Sequence, residues 1–258
     1  MDRQSFVANA AHKYNGAQTH LSGWFATPQG RYVLDWELAQ FALATDDVFG
    51  YRAVQAGLPG IDFLQGNRIP FRLTAALEPG AALVSDPMQL PLASQSVDLV
   101  ALPHVLESTS DPHLVLREAE RVLIPEGQVV ISGFNTLSLW RLRQAFTWGN
   151  SDAPWDGRFI GLLRLKDWLH LLGFELNGGR FGCYAPPFRS AEWLARFEFM
   201  EKAGSRWWPI MGGVYVVRAV KRVHGMRVIA PAWRKERARR RALAPIPQRN
   251  GSARQRHE

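Results

Sequence analysis

The chain has 258 residues, of which 47% are hydrophobic, enough to bury the core of one sizeable domain or of two small ones. Its one cysteine, Cys183, excludes an intrachain disulfide and a metal site built from several thiolates, and we interpret it as a packing residue. The chain contains no run of about 18 apolar residues and does not begin like a secretion signal, so we expect a cytoplasmic protein without a membrane span.

The net charge of +8 is concentrated near the end of the chain. From Arg218 onwards there are 13 Lys and Arg residues against two acids, whereas the preceding part is slightly acidic. We place one domain at 25–222, after an N-terminal extension at 1–24, and expect 223–258 to be a basic, mostly disordered tail that allows weak nucleic-acid or lipid contact. A solvated extension without a specific partner is the alternative, because no aromatic residues interrupt its arginine run.

The first elements after residue 30 are a helix and three short strands. Apolar residues at helical spacing predict an opening helix within 31–49. Strands are predicted at 51–57, 71–77 and 81–85, with a short helix at 61–67 after a Gly-Pro turn. Parallel neighbours usually need a crossover of a dozen or more residues, but only about five join the second and third strands. These two strands are therefore either not parallel neighbours or joined by an abbreviated connection.

The pattern is most regular between residues 96 and 135. It predicts a strand at 96–103, a helix that begins with Asp111 as N-cap and Pro112 in its first turn, and a second strand at 128–135. The helix is expected to stop at the Pro-Glu-Gly of 125–127. Strand, helix and strand in this order predict a right-handed parallel unit. The helix residues expected to face the sheet are Leu114, Ala119, Val122 and Leu123.

The last third of the domain begins with an insertion at 136–160, which we expect to lie above the sheet. A helix at 164–174, a strand with a bent middle at 174–187, a helix at 190–204 and a strand at 212–223 follow it. The last two strands are expected to form an antiparallel pair. The predicted fold class is thus α/β, a Rossmann-like and mostly parallel sheet with flanking helices and an antiparallel C-terminal strand pair.

Two of the predicted strands end next to a titratable side chain, Asp86 in one case and His104 in the other. Ligands of open parallel sheets bind outside the carboxyl ends of the strands. A carboxylate there can accept hydrogen bonds from ribose hydroxyls or an exocyclic amine, and an imidazole can act as a general base, which together predict a nucleoside pocket. A turn for Asp86 and a structural hydrogen bond for His104 are the alternatives. His20, His113 and His170 show no metal-ligand spacing, so we predict no metal site.

Several motifs follow one another in a fixed order between residues 86 and 135. They are Asp86, Leu90-Pro91, Asp98, His104-Val105-Leu106-Glu107, and the run Arg121 to Gly127 before a strand. This order resembles the catalytic domain of class I S-adenosylmethionine-dependent methyltransferases of the small-molecule, type 11-like group. The resemblance implies S-adenosylmethionine as cofactor and methyl transfer to an acceptor that the sequence does not identify, expected to be a small molecule.

The resemblance also implies which residues contact the cofactor. In the family, the turn after the first strand passes the methionine and ribose part, acids near the ends of the next two strands contact ribose and adenine, and residues after the fourth strand line the cleft. The corresponding cofactor-binding residues are Ala56, Gly57, Gly60, Glu78, Asp86, Met88, Leu102 and Pro103. His104 is the candidate catalytic residue beside that cleft.

The region around the first turn departs from the family pattern. Gln55 stands where an acid is expected, Pro59 stands where a middle glycine is expected, and Pro87 has no N–H to offer to an adenine ring. These departures favour an alternative interpretation, a catalytically inactive methyltransferase-fold protein that serves as a binding or scaffold protein, with a tail that contacts nucleic acid.

Overall fold

The structure is a computed structural model that describes residues 16–141, 159–187, 190–197 and 199–223. The first 15 residues of the N-terminal extension, most of the insertion expected at 136–160 and the basic tail from residue 224 lie outside the described residues. Among the residues that are described, no helix is both long and apolar enough to cross a membrane.

Seven strands form one sheet in the order β3-β2-β1-β4-β5-β7-β6. The five strands β1 to β5 are parallel to one another, and β7 runs antiparallel to both of its neighbours, β5 and β6. The predicted fold class is therefore confirmed, including the antiparallel C-terminal pair. The strands are β1 Arg52–Ala56, β2 Phe71–Ala76, β3 Leu83–Val84, β4 Val97–Pro103, β5 Leu123–Phe134, β6 Phe174–Gly182 and β7 Val214–Lys221.

Helices flank this sheet along the described chain. Helix α2 begins after Thr27, whose hydroxyl accepts a hydrogen bond from the Gly30 amide, and Pro28 occupies its first turn. Helix α6 ends before Gly173, whose positive φ of 80° reverses the chain. The helices are α1 at 16–25, α2 Pro28–Thr45, α3 Val105–Ser108, α4 Pro112–Val122, α5 from 139, α6 Leu162–Leu171, α7 Ala191–Arg196 and α8 Phe199–Trp207.

Alternate residues of the central strands face two hydrophobic layers. Val54 and Val100 pack in the layer that contains α4 and α6, whereas Ala53 and Leu99 pack in the layer that contains α1 and α2. Side chains of a strand alternate between its two faces, so a strand covered on both sides is apolar throughout. This explains why the sequence of β4 is a nearly continuous apolar run. Because Leu21 and Trp24 of α1 pack in the second layer, the described part of the N-terminal extension belongs to the same folded unit.

The prediction of a short helix at 61–67 is wrong. Residues 57–70, all of which are described, form turns and irregular chain between β1 and β2. Part of the reason is that the side chain of Gln55 binds the Phe63 amide and the Ile61 carbonyl, and a helix beginning at residue 61 would use that carbonyl for its own hydrogen bond. The β1–β2 crossover is therefore made without a helix.

The connection between β2 and β3 is an abbreviated one. The two strands are parallel neighbours, with Ala75 opposite Leu83 and Ala76 opposite Val84, and residues 77–82 are all that joins them. Of the two alternatives left open by the sequence, the structure selects the shortened parallel connection. The short β3 leaves Glu78 and Asp86 only a few residues from the same edge of the sheet.

The prediction for α4 is correct at its start and wrong in detail. Asp111 is the N-cap and its carboxylate accepts hydrogen bonds from the amides of His113 and Leu114. Leu114 is nevertheless 42% exposed, because the buried face runs through Val115, Leu116, Ala119 and Val122. The helix ends at Val122, before the predicted Pro-Glu-Gly, and Leu123 is buried as the first residue of β5.

The predictions for the last strands and helices are mostly correct. Strand β6 has the predicted irregularity, a register shift between Leu176 and Gly178. The single helix predicted at 190–204 is instead two elements, α7 and α8. Cys183 is buried and free, as a packing residue should be.

Candidate functional site

The candidate site lies at the carboxyl edge of strands β1 to β4. Ala56 is paired with Ala75, and Gln55 with Ala101, so these neighbouring strands reach the edge at similar heights. The residues that follow the strands therefore meet there: the turn beginning at Gly57 after β1, Glu78 after β2, Asp86 after β3 and His104 after β4. A parallel sheet creates its ligand crevice at this edge.

The turn after β1 is organised by the side chain of Gln55. Its amide nitrogen donates hydrogen bonds to the carbonyl oxygens of Gly57, Leu58 and Ile61 at 3.1, 3.1 and 2.7 Å, and its oxygen accepts one from the Phe63 amide at 2.9 Å. Gln55 is 1% exposed. A carboxylate could not donate to those carbonyl groups, so this turn requires an amide where the family usually has an acid.

The two glycines of this turn differ in whether their backbone conformation requires glycine. Gly57 has φ of 78°, which only glycine adopts without strain, and its amide donates to the Ala75 carbonyl at 2.8 Å. Leu58 also has positive φ, 46°, and its side chain is fully buried. Gly60 is exposed, and a Cβ atom built there would meet nothing within 4 Å. Ala56 is fully buried at the strand end, so it contributes backbone rather than side chain to the crevice.

Glu78 is buried beneath helix α1. The residue is 7% exposed, and the Thr19 hydroxyl donates to its Oε1 at 3.3 Å. Burial raises the pKa of the Glu78 carboxyl, partly offset by the Thr19 hydrogen bond. The neighbouring Gln18 amide donates to the His104 carbonyl at 3.2 Å and to the Ser108 hydroxyl at 2.8 Å. Helix α1 thus connects the end of β2 with the end of β4.

Asp86 forms a local turn at the end of β3. Its Oδ1 accepts a hydrogen bond from the Met88 amide at 2.8 Å, and its carbonyl accepts one from the Gln89 amide at 2.9 Å. Pro87 between them is buried, whereas Asp86 and Met88 are half-buried. Burial raises the pKa of the Asp86 carboxyl, opposed by the Met88 amide. Turn formation and ligand contact are compatible here, because the turn uses only one carboxylate oxygen.

At the end of β4, Leu102 and Pro103 are buried and the chain turns sharply at His104, whose φ is 51°. The imidazole is fully buried between two carboxylates, with Nε2 at 2.8 Å from Oε1 of Glu37 and Nδ1 at 2.8 Å from Oε2 of Glu107. Glu107 also accepts a hydrogen bond from the Phe134 amide at the end of β5. This buried network therefore joins α2, β4 and β5.

The carboxylates determine the protonation of His104. Burial alone would lower its pKa, but Glu37 and Glu107 outweigh that effect and raise the pKa of His104 to about 10. A protonated imidazole with both nitrogens hydrogen-bonded has no lone pair for a substrate proton. The geometry favours a positioning role for His104 over the general-base role predicted from the sequence.

Three residues at this site were not predicted: Gln18, Thr19 and Glu37. The first two lie in an N-terminal segment that carries no motif, so no local signal was available for them. Glu37 did leave a signal, since Val33, Glu37 and Phe41 are spaced by four residues and all three are buried. Because Glu is almost never fully buried unless it is paired, an acid on an apolar helix stripe indicates a buried partner.

Comparisons with known proteins point to one family. Residues 60–131 match the family model described as a methyltransferase domain. The uncharacterized protein YafS of Escherichia coli (strain K12) is 47% identical over 98 residues, which are 38% of this chain and 41% of that protein. Malonyl-(acyl-carrier protein) O-methyltransferase of Laribacter hongkongensis is 36% identical over 94 residues, 36% of this chain and 31% of that protein. The aligned parts cover less than half of either curated relative.

Solved structures show the same fold at lower identity. A methyltransferase of Thermotoga maritima superposes with a TM-score of 0.59 at 18% identity, over 83% of this chain and all of that one. A methyltransferase of Haloferax volcanii, solved with the Trm112 activator, gives 0.57 at 17% identity over 81% and 99%. The strand order and these neighbours show the class I S-adenosylmethionine-dependent methyltransferase fold, and the match of residues 60–131 to the methyltransferase-domain model agrees with the resemblance to the type 11-like group.

Proposed function

We propose that the protein binds S-adenosylmethionine across the carboxyl edge of β1 to β4 and transfers its methyl group to a small-molecule acceptor. The observation that carries this proposal is the pair of acids that follow β2 and β3, Glu78 and Asp86. Neither acid makes an ion pair with a cation in the described part of the chain. Burial without a cation is unfavourable for a carboxylate unless a ligand supplies hydrogen-bond donors.

The residues at this edge fit the cofactor. Glu78 would accept hydrogen bonds from ribose hydroxyls through its second carboxylate oxygen, while its Oε1 accepts the one from the Thr19 hydroxyl. Asp86 and Met88 would contact the adenine, and the exposed backbone at Gly60 would pass the methionine part. Leu102 and Pro103 would wall the cleft. When bound, the cofactor supplies an activated methyl group, so the protein chiefly has to align donor and acceptor and exclude water.

The Glu37–His104–Glu107 network would position the turn after β4 and would take no part in the methyl transfer itself. It holds the turn after β4 against α2 and β5, and hence holds the cleft wall at a fixed distance from the β1 turn. An acceptor that is already nucleophilic needs no protein base. The relative from Laribacter hongkongensis is named for methylating malonyl-(acyl-carrier protein), but the match covers only 36% of this chain and 31% of that protein and does not transfer its acceptor to this one.

Titration calorimetry with S-adenosylmethionine and with its demethylated product tests the proposal. We expect a dissociation constant in the micromolar range, weakened about tenfold or more by Glu78→Gln, because hydrogen bonds to a charged group are the strong ones. Asp35→Asn, which changes an exposed acid on α2, is the matched control and should bind as the unchanged protein does. Absence of heat at millimolar cofactor would contradict the proposal and support the inactive binding or scaffold alternative.

The expected contact of the basic tail with nucleic acid remains a proposal, because that segment lies outside the described residues. Removal of the chain after Arg234 should weaken binding to an acidic acceptor in a salt-dependent manner. Unchanged, salt-independent activity on the acceptor would contradict a recruiting role for the tail.

A further inference from the structure

A group of large apolar side chains is exposed on α8 and on the loop that leads into β7. We call this group the aromatic patch. It consists of Phe199 at 63% exposure, Trp207 at 71%, Trp208 at 54%, Ile210 at 58% and Met211 at 42%. Clustered exposure of this kind is unusual in a soluble domain and marks a surface that another phase or molecule covers.

The backbone beneath the aromatic patch is held firmly. The Tyr184 hydroxyl donates to the Pro209 carbonyl at 2.8 Å, and the Asn135 amide donates to the carbonyls of Ile210 and Gly212 at 2.7 and 2.9 Å. Within the loop, the Met211 amide donates to the Trp208 carbonyl at 2.9 Å. The loop carbonyls therefore point inwards, and the apolar side chains are held outwards by structure rather than by fraying.

The basic and acidic side chains of α8 lie on different sides of the helix. Lys202 and Arg206 are exposed, whereas Glu201 is turned inwards, where its carboxylate accepts hydrogen bonds from the Tyr184 amide and from the Tyr32 hydroxyl. Both exposed charges of the described α8 are thus cations. The preceding α7 adds one exposed acid, Glu192, and one exposed cation, Arg196, so it does not reverse this sign.

The aromatic patch lies on the same edge of the sheet as the candidate site. Asn135, which holds the loop, directly follows β5, and Gly213 donates to the Cys183 carbonyl immediately before β7 begins. Since β7 runs antiparallel to β5, it starts at the edge where β5 ends. A partner surface that contacts the aromatic patch would therefore face the side of the domain on which the parallel strands end.

We propose that the aromatic patch docks the domain on the surface of a bilayer that contains anionic lipids. Tryptophan is enriched at the boundary between headgroups and acyl chains, and flanking Lys and Arg side chains reach anionic headgroups while their stems stay apolar. Each cation near such a surface is attracted to it, and Lys202 and Arg206 are exposed beside the patch. The protein is thereby held peripherally, with its candidate site turned to the membrane. This inference does not depend on cofactor binding.

Co-sedimentation of the full chain with vesicles tests it, using phosphatidylcholine alone and phosphatidylcholine mixed with phosphatidylglycerol. We expect partition into the mixed vesicles that Trp207→Ser with Trp208→Ser lowers about tenfold, because two large side chains no longer enter the interface. The charge reversal Lys202→Glu with Arg206→Glu should also lower partition into the mixed vesicles, and the loss should be larger at low salt than at high salt. The matched control is Phe49→Ser with Tyr51→Ser, two side chains exposed to 73% and 80% at the opposite edge, which should leave partition unchanged.

Other outcomes would overturn the proposal. Equal partition of the Trp207/Trp208 variant and the unchanged chain would show that the basic tail alone binds lipid. Light scattering that reveals a concentration-dependent dimer lost in the same variant, with no vesicle binding, would assign the patch to a contact between copies of this chain. Circular dichroism checks that the variants fold, and Ile210→Ser with Met211→Ser provides a second, milder disruption with the same expected direction.

Discussion

The two halves of the parallel sheet are built differently. The unit from β4 to β5 has a full crossover helix with an N-cap, and a buried ion network secures its carboxyl end. The β1 to β3 half has no helix in residues 57–70 and only residues 77–82 between β2 and β3. The comparison teaches that parallel neighbours of this sheet can be joined without a crossover helix, and that between β1 and β2 the buried side chain of Gln55 binds the backbone of the connecting segment instead.

The strongest way to break the β4–β5 half is to remove the cation of its network. His104→Ala leaves the carboxylates of Glu37 and Glu107 buried without a neighbouring cation, and we expect it to lower the free energy of unfolding by about 3–5 kcal/mol. Urea denaturation followed by circular dichroism measures this. His113→Ala, an exposed histidine on α4, is the control and should cost less than about 1 kcal/mol. A similar small loss for His104→Ala would contradict the structural role of the network.

The same network predicts a pH dependence in the alkaline range. The folded pKa of His104, about 10, lies above its unfolded value of 6.5, so the folded state binds the proton more tightly. This stability is fully present below pH 6.5 and is lost as the pH rises through about 10. We expect the free energy of unfolding to fall over this range by up to a few kcal/mol, and to fall much less in His104→Asn. Parallel pH curves for the two proteins would refute a protonated His104.

The β1–β3 half is probed by giving it the acid that its family usually has. Gln55→Glu brings a carboxylate against the carbonyl oxygens of Gly57, Leu58 and Ile61, which lose their donors. We expect a loss of about 1–3 kcal/mol at neutral pH, measured by thermal or urea unfolding. Gln89→Glu, an exposed position after β3, should change stability little. A Gln55→Glu protein as stable as the unchanged chain would show that the amide does not organise the turn.

The smallest expected effect concerns the cap of α4, which sharpens the contrast between a crossover with a helix and one without. Asp111→Ala removes the acceptor of the His113 and Leu114 amides and should cost about 1 kcal/mol. Asp111→Asn keeps an acceptor and should recover most of that loss. Chemical denaturation of both variants gives the comparison, and equal loss in both would argue against capping as the cause.

The sequence predicted the β4–β5 unit well because its signals act between near neighbours. The Asp111 and Pro112 start, the apolar run of β4 and the β-branched run of β5 each depend on residues within one or two turns of chain. Where a local signal was ambiguous, prediction failed: the Ile61 to Asn67 segment contains apolar residues at tolerable helical spacing, yet its backbone is bound by Gln55. The wrong orientation of Leu114 has the same character, since a phase error of one residue moves a side chain from core to solvent.

By itself, the sequence determined the mostly parallel α/β sheet, the antiparallel last pair and the placement of acids after β2 and β3. Only the tertiary structure decided that His104 is clamped by Glu37, which lies 67 residues earlier in the chain, and that Thr19 of α1 lies on Glu78. The physical reason is that local periodicity and capping are set by neighbours along the chain. The partner of a buried charge is chosen by which helix packs over which strand end, and no short stretch of sequence contains that information.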